Sequence, residues 1–265
     1  MFQRALAAAS EFTFPYVGVR RRRDGKVFST VGAVIALNSD GWLLTAGHVV
    51  AEIGRASASV RSDPEEGTLS HHVEIWALPG AAKTRPRAVE AYRDPFVDIA
   101  VVRIEPFDEK TLTVVPVLRS AAAPVEPGMS VCRLGYPFHT VEAEFDAEQD
   151  SFQVTSGFPV PRFALEGMVS RFHNVVVEGR DEPVRYIETS TPGLRGQSGG
   201  PLIDVEGRVC GIQSHTAHLD LGFDASFERD GERIVERQFL NVGRAVRIEQ
   251  VMAFLDSRGI EYTQG

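Results

Sequence analysis

Cysteine is scarce in this chain of 265 residues, which holds only Cys132 and Cys210. Two cysteines make neither a disulfide framework nor a four-cysteine zinc site, so they read as buried free thiols that behave as small hydrophobes. Long apolar runs are missing as well. The longest, such as residues 31–37, are strand-sized and fall short of the roughly 18 residues of a membrane span, so no membrane partner is expected. Basic charge is in deficit: 28 Lys and Arg stand against 36 Asp and Glu, a net charge of −8. Nucleic-acid-binding domains carry the opposite balance, and no nucleic-acid partner is expected. The first residues lack the pattern of a secretory leader, because Gln3 and Arg4 precede only five apolar residues before Ser10 and Glu11, fewer than the about 7–15 of an apolar leader core. Residues 1–15 therefore read as a short N-terminal extension, and the expected location is cytoplasmic.

What is present is an ordinary globular composition, 43% hydrophobic and 24% charged, which excludes wholesale disorder. Short β-type runs are broken by Gly, Pro, Asp and Asn. Candidate strands are 16–20, 31–37, 42–45, 73–78, 88–92, 99–104, 130–134, 167–172, 175–178, 184–188, 202–204, 209–213 and 239–242. Asn38-Ser39-Asp40-Gly41 is a hairpin turn, with Gly41 supplying a positive φ. Many short strands at this spacing predict an all-β barrel or sandwich. One helix is evident near the end: Ile248, Val251, Met252 and Leu255 fall at i, i+3, i+4 and i+7 on one face, and Gly259 is a natural stop. Residues 119–128, rich in Ala and Pro, read as a linker between two β units. The acid-striped stretch 141–150 and the charged stretch 220–236 read as solvated loops or hairpins, and Arg20 to Arg23 as a solvated strand end.

Three segments could carry chemistry. In Gly196-Gln197-Ser198-Gly199-Gly200-Pro201 the glycines hold a serine on a tight turn and let backbone N–H groups converge; taken alone the stretch is equally a plain Gly-rich turn. It also fits the G-x-S-x-G elbow of α/β hydrolases, but that motif needs a helix after it and an acid and then a histidine downstream. Here a strand–turn–strand pattern follows, and only His215 and His218 lie beyond, so the elbow is rejected. In Leu44-Thr45-Ala46-Gly47-His48-Val49-Val50, His48 sits just past a strand, as a catalytic base or as a core histidine bonded to backbone. In Phe96-Val97-Asp98-Ile99-Ala100-Val101-Val102, Asp98 heads an apolar run; a buried carboxylate there needs a partner, whereas a turn residue would bond local amides. His71 and His72 make an unlikely chelate, since neighbours on a strand point to opposite faces, and His215 and His218 alone lack the usual three or four ligands. No metal and no cofactor is expected.

The segments TAGHVV, DIAVV and GQSGGP, in this order, resemble the trypsin/chymotrypsin-type serine proteases, and most closely the protease domain of the bacterial HtrA (Do-like) branch. His48 and Asp98 lie 50 positions apart, and Asp98 and Ser198 lie 100 apart. The likeness extends to residues 31–35 leading into 40–45, to the Gly135-Tyr136-Pro137 corner and to the hairpin at 207–212, and covers roughly residues 16–258. It implies an all-β fold of two six-stranded antiparallel β-barrels, the chymotrypsin-like double barrel, with a C-terminal α-helix: first barrel about 16–118, linker 119–128, second barrel about 129–245, helix 246–258. It implies a serine endopeptidase acting on a protein or peptide substrate. Ser198 would be the nucleophile, His48 the base and Asp98 its orienting acid, with the N–H groups of Gly196 and Ser198 as the oxyanion hole. Pro192, Gly193, Gln213, Ser214, His215 and Thr216 would line the substrate site, with Ser214 also near the acid and residues 213–216 pairing with the substrate as an added strand.

The sequence departs from the family in several places. Gln197 stands where trypsins have Asp and HtrA proteins Asn, so activation through an ion pair with a new N-terminus should be absent. Pro192 occupies the place of the trypsin pocket Asp, and Thr216 stands at the pocket mouth in place of Gly. Together these predict a small or medium apolar residue before the cut, not Lys or Arg. The stretch 140–162 is longer than the family pattern, no PDZ module follows the helix in this chain, and the paired cysteines of secreted trypsins have no counterpart, which fits a reducing compartment. Two other readings stay open: a catalytically silent peptide- or partner-binding module on the same fold, and a resting enzyme awaiting a protein activator that engages the inserted loops.

Overall fold

A computed structural model describes residues 1–51, 69–229 and 232–265. The chain opens with helix α1 (Gln3–Ser10), followed by β1 (Thr13–Arg22), β2 (Val27–Ala36), β3 (Trp42–Thr45), β4 (Leu69–Trp76), the single helical turn α2 (Ala81–Thr84), β5 (Arg87–Arg93) and β6 (Ala100–Glu105). These strands form one six-stranded sheet in the order β4-β1-β2-β3-β6-β5, with every neighbouring pair antiparallel. Strand β1 reads as a nearly unbroken apolar run because it is paired on both edges and covered on both faces. Phe14 and Tyr16 pack with Trp76, Leu43 and Val102 inside the first sheet, whereas Val17 and Val19 pack with Tyr136, Val141 and Val160 of the second half. A strand buried on both faces loses the polar alternation of a half-buried one.

The second half holds β7 (Val117–Leu118), β8 (Ser130–Gly135), β9 (Glu142–Asp146), β10 (Ser151–Ser156), β11 (Phe163–Val175), β12 (Val184–Thr189), β13 (Pro201–Ile203), β14 (Val209–Arg229) and β15 (Glu232–Arg247), then α3 (Ile248–Asp256) and β16 (Thr263–Gln264). Six of these strands follow one another as β13-β8-β11-β12-β15-β14, and a further pairing of β13 with β14 closes the ring. Closure removes the exposed edges that an open sheet leaves. The first sheet differs: among the described residues its end strands β4 and β5 do not pair, so it is a curled sheet and the second is the closed barrel. Short parallel pairings of β7 with β14 and β16 are additions to the expected antiparallel plan.

Several elements depart from the sequence reading. Residues 1–15, read as a short N-terminal extension, are packed: Phe2, Ala5, Ala9 and Phe12 are buried in the core that also holds Leu134 and Ile203, and α1 packs on β1, β8 and β13. The strand expected at 167–172 is part of the longer β11, which runs on through His173 and Asn174, paired with Tyr186 and Arg185, and ends at Val175; the strand expected at 175–178 does not form, because the chain leaves the ladder after Val175 and turns at Glu178 and Gly179. Of the two stretches read as solvated loops or hairpins, the described part of 220–236 lies in the long antiparallel ribbon of β14 and β15, and 141–150 in the hairpin of β9 and β10, so both take the hairpin form. Arg20 is buried beside Glu74, not solvated.

The helix α3 buries the four residues read from its periodicity, together with Gln250 and Phe254. Gln250 spends its amide on the backbone, accepting from Arg185 N–H (2.7 Å) and donating to Pro183 O (3.2 Å), as a buried polar side chain must. Gly259 follows the helix with φ +64°. Both thiols are buried and unpaired. Burial pushes Cys132 up to about 11 and Cys210 up to about 12, which leaves them protonated and inert near neutral pH.

Candidate active site

Strand β3 ends at Thr45, and the chain turns at once, leaving His48 exposed on the turn while Val49 and Val50 beside it stay buried. Asp98 lies in the bend two residues before β6, a strand held against β3 by its ladder. The β3–β6 register therefore brings together two residues 50 positions apart. Asp98 Oδ1 accepts from the His48 backbone N–H at 2.9 Å, and the His48 Nδ1 lies 2.8 Å from Oδ2 and 3.1 Å from Oδ1. Burial pushes the Asp98 carboxyl up, but the bond from His48, its charge, and the bonds from Ser214 and the His48 backbone outweigh burial and hold it below its ordinary value. An ionised carboxylate can only accept, so Nδ1 carries the proton of the neutral ring and Nε2 keeps its lone pair. Ser214 Oγ donates to Asp98 Oδ2 at 2.5 Å, the position the resemblance suggested for it.

Ser198 is presented by a loop that only glycine permits. Gly199 has φ +83°, and a Cβ there would fall 2.1 Å from Thr45 Oγ1 and 2.2 Å from Ala33 O. The loop is tied to both halves of the molecule: Ala33 N–H donates to Ser198 O (2.8 Å), Gly199 N–H to Gln213 O (2.8 Å) and Tyr136 N–H to Gly196 O (2.8 Å). Gln197 N–H donates to Leu194 O at 2.9 Å, closing a four-residue turn with Gly196 at its third position and φ +93°. A positive φ at that position marks a type II turn, which a type I turn would replace only by flipping the central peptide. Among the described residues neither the Gly196 N–H nor the Ser198 N–H has a protein acceptor. Gln197, fully buried, braces the turn by accepting from Leu194 N–H at 3.0 Å.

The two halves meet at an open cleft of about 600 Å³ lined by His48, Ser198, residues 192–195 and 213–216, with His218 and Asn241 at its side. All six residues expected to contact substrate line it: Pro192, Gly193, Gln213, Ser214, His215 and Thr216. The Ser198 hydroxyl does not bond to the imidazole here; it donates to Ser214 O at 3.2 Å. Burial and the Arg244 charge hold His215 below its ordinary value, which favours a neutral ring beside the cleft. Sequence reasoning passed over Arg195, His218 and Asn241 in the lining and Arg133 behind it. Arg133 was legible only as a lone cation in the apolar run 131–134 of β8.

The architecture, a curled sheet and a closed six-stranded barrel with a cleft between them, is the chymotrypsin-like class of peptidase fold. The chain belongs to the trypsin-like peptidase domain family, whose family model matches residues 32–212. Among solved structures, the Rv3671c protease from M. tuberculosis in its active form is similar with a TM-score of 0.53 at 18% identity, over 98% of this chain and 86% of that one. Its inactive form gives 0.51 at 18% identity, over 96% and 90%. The HtrA-type protease AlgW with a tripeptide gives 0.51 at 18% identity, over 98% of this chain and 65% of that one. The chain thus spans less than two thirds of the AlgW chain, and at these identities the likeness is one of fold. No curated protein matches the sequence.

Proposed function

We propose that the protein is a serine endopeptidase that cuts peptide bonds through Ser198, His48 and Asp98 and a covalent acyl-enzyme. The observation that carries this reading is the carboxylate-locked tautomer of His48, whose free Nε2 belongs to the same cleft as Ser198. In the proposed cycle a peptide carbonyl enters the cleft, and rotation about the Ser198 side-chain bond exchanges its bond to Ser214 O for one to Nε2. Catalytic hydrogen bonds are commonly formed only once substrate is bound. Ser198 Oγ attacks the carbonyl carbon as Nε2 takes its proton, and Asp98 stabilises the imidazolium without being protonated.

The oxyanion of the tetrahedral intermediate is received by the N–H groups of Gly196 and Ser198, which the type II turn leaves without protein acceptors. His48 then passes its proton to the departing amine. A water, deprotonated by the same nitrogen, attacks the acyl ester and releases the acid product and the free serine. The test is digestion of a denatured-protein mixture by wild type and Ser198→Ala side by side, with the new chain termini mapped by mass spectrometry. The account expects termini that appear with wild type alone. Identical termini in both samples would overturn it and favour the silent-module reading.

A further inference from the structure

Arg133 lies in the middle of β8, and its side chain is turned into the barrel behind the substrate cleft, where it is 1% exposed. Its Nε donates to Gln213 Oε1 at 2.6 Å, and its Nη1 to Thr191 Oγ1 at 2.8 Å and Pro192 O at 3.2 Å. Its Nη2 has no hydrogen-bond partner among the described residues. Burial draws its pKa down to about 10, so the guanidinium keeps its charge at neutral pH. No described carboxylate forms an ion pair with it. Buried charges are normally paired, because an uncompensated one is strongly destabilising.

The position of this cation is specific. A Cβ on Gly243 would fall 2.2 Å from Nη2, and 2.9 Å from Gly193 N. The guanidinium therefore lies directly behind the Gly193 wall of the cleft. The Gln213 amide stands between it and the opening: a Cβ on Gly193 would fall 2.2 Å from Gln213 Nε2. One Nε2 proton goes to His215 O at 3.1 Å, and among the described residues the second has no acceptor. Thr216 Oγ1 donates across the slot to Gly193 O at 2.5 Å, so the slot is shallow. Among the described residues its lining includes Arg195 and three histidines and no Asp or Glu, in a chain whose net charge is −8.

We infer that this slot accepts the side-chain carboxylate of an acidic residue, aspartate ahead of glutamate, on the acyl side of the cleaved bond, with the Gln213 amide as direct donor and the Arg133 guanidinium as the buried countercharge. The inference rests on the peptidase reading of the cleft. It replaces the small apolar preference drawn from Pro192 and Thr216, which took no account of Arg133. A shallow slot favours the shorter acid. A site built to bond a polar group discriminates strongly against analogues that leave its donors unpaired, and a charged partner strengthens those bonds.

The experiment is a set of fluorogenic peptides identical except for Asp, Glu, Asn, Gln, Ala, Val or Leu before the cut. Turnover is measured with wild type, and binding of the same peptides with Ser198→Ala by fluorescence polarisation. The expected result is a kcat/KM and an affinity for Asp at least about tenfold above Asn and Ala. In Arg133→Met, checked for folding by its thermal transition, the Asp-to-Asn ratio falls towards one while Asn peptides are still processed. Equal or better handling of the neutral peptides by wild type overturns the inference and leaves the peptidase reading standing. A tighter Asp affinity without turnover of any peptide supports the slot and sinks the peptidase reading. An Asp preference unchanged in folded Arg133→Met overturns the inference.

Discussion

Replacing Gly196 by Ala isolates one donor of the proposed oxyanion hole. The residue holds φ +93°, and an added Cβ would lie 2.2 Å from Tyr136 O, 2.7 Å from Tyr136 C and 3.0 Å from Pro137 Cα. All three are backbone atoms, and Tyr136 is itself bound to Gly196 O, so the neighbour cannot retreat without breaking the bond that fixes the loop. Left-handed backbone costs an L-residue about 1–2 kcal/mol before any clash. The cheapest relief is to flip the Arg195–Gly196 peptide from a type II to a type I turn, which swings the N–H away from the cleft. Loss of one such donor costs about 2.7–4 kcal/mol of transition-state stabilisation, or about 10²–10³ in kcat. KM should change little, because the donor acts on charge that develops only in the transition state. Steady-state kinetics on one peptide substrate, with a thermal melt to show that the variant folds, makes the measurement. A folded Gly196→Ala enzyme with kcat within about threefold of wild type would refute the assignment.

Three further outcomes follow from named contacts. Asp98→Asn keeps the shape but lets the ring adopt the wrong tautomer, and kcat should fall about 10⁴-fold; a loss under tenfold in stopped assays would contradict the role given to Asp98. Burial pushes Glu74 from 4.5 up to about 7 against the pull of Arg20, so the folded state binds its proton more tightly than the unfolded chain. That contribution is complete below about pH 4.5 and is lost as pH rises through about 7, at about 1.4 kcal/mol per unit. Melting curves should therefore show wild type losing up to about 3 kcal/mol relative to Glu74→Gln between these limits, and parallel profiles would argue against it. Asp204 is buried and bonded to Arg119 and, at 2.8 Å, to Arg208. Asp204→Ala strands Arg119 and should cost about 3 kcal/mol in a denaturant titration; a change under about 0.5 kcal/mol would show the pair to be dispensable.

The site was legible where local chemistry is encoded locally. Ser198 among its glycines, His48 after a strand and Asp98 before one are each visible in a few residues, and the face of α3 is visible in four. The remainder depended on long-range packing. The packing of helix α1 was not legible in its short Ala-rich extension because its partners Leu134 and Ile203 are more than a hundred residues away. The ribbon of β14 and β15 reads as a charged loop or hairpin because its acidic and basic residues dominate, although Leu219, Leu221, Phe223, Ala225 and Phe227 alternate along β14 as a strand's residues do and most of them stay exposed. Arg133 gave only the signal of a cation in an apolar strand, since the walls that enclose it, Thr191, Pro192 and Gln213, come from other parts of the chain.

The central claim is that Ser198 is a nucleophile made reactive by His48, and a fluorophosphonate probe with the modified residue mapped by mass spectrometry reports on it directly. The account predicts a single covalent adduct on Ser198 in wild type, none in Ser198→Ala, and labelling slowed at least about a hundredfold in His48→Ala. Absence of any adduct, an adduct on another residue, or labelling of His48→Ala at the wild-type rate would contradict it.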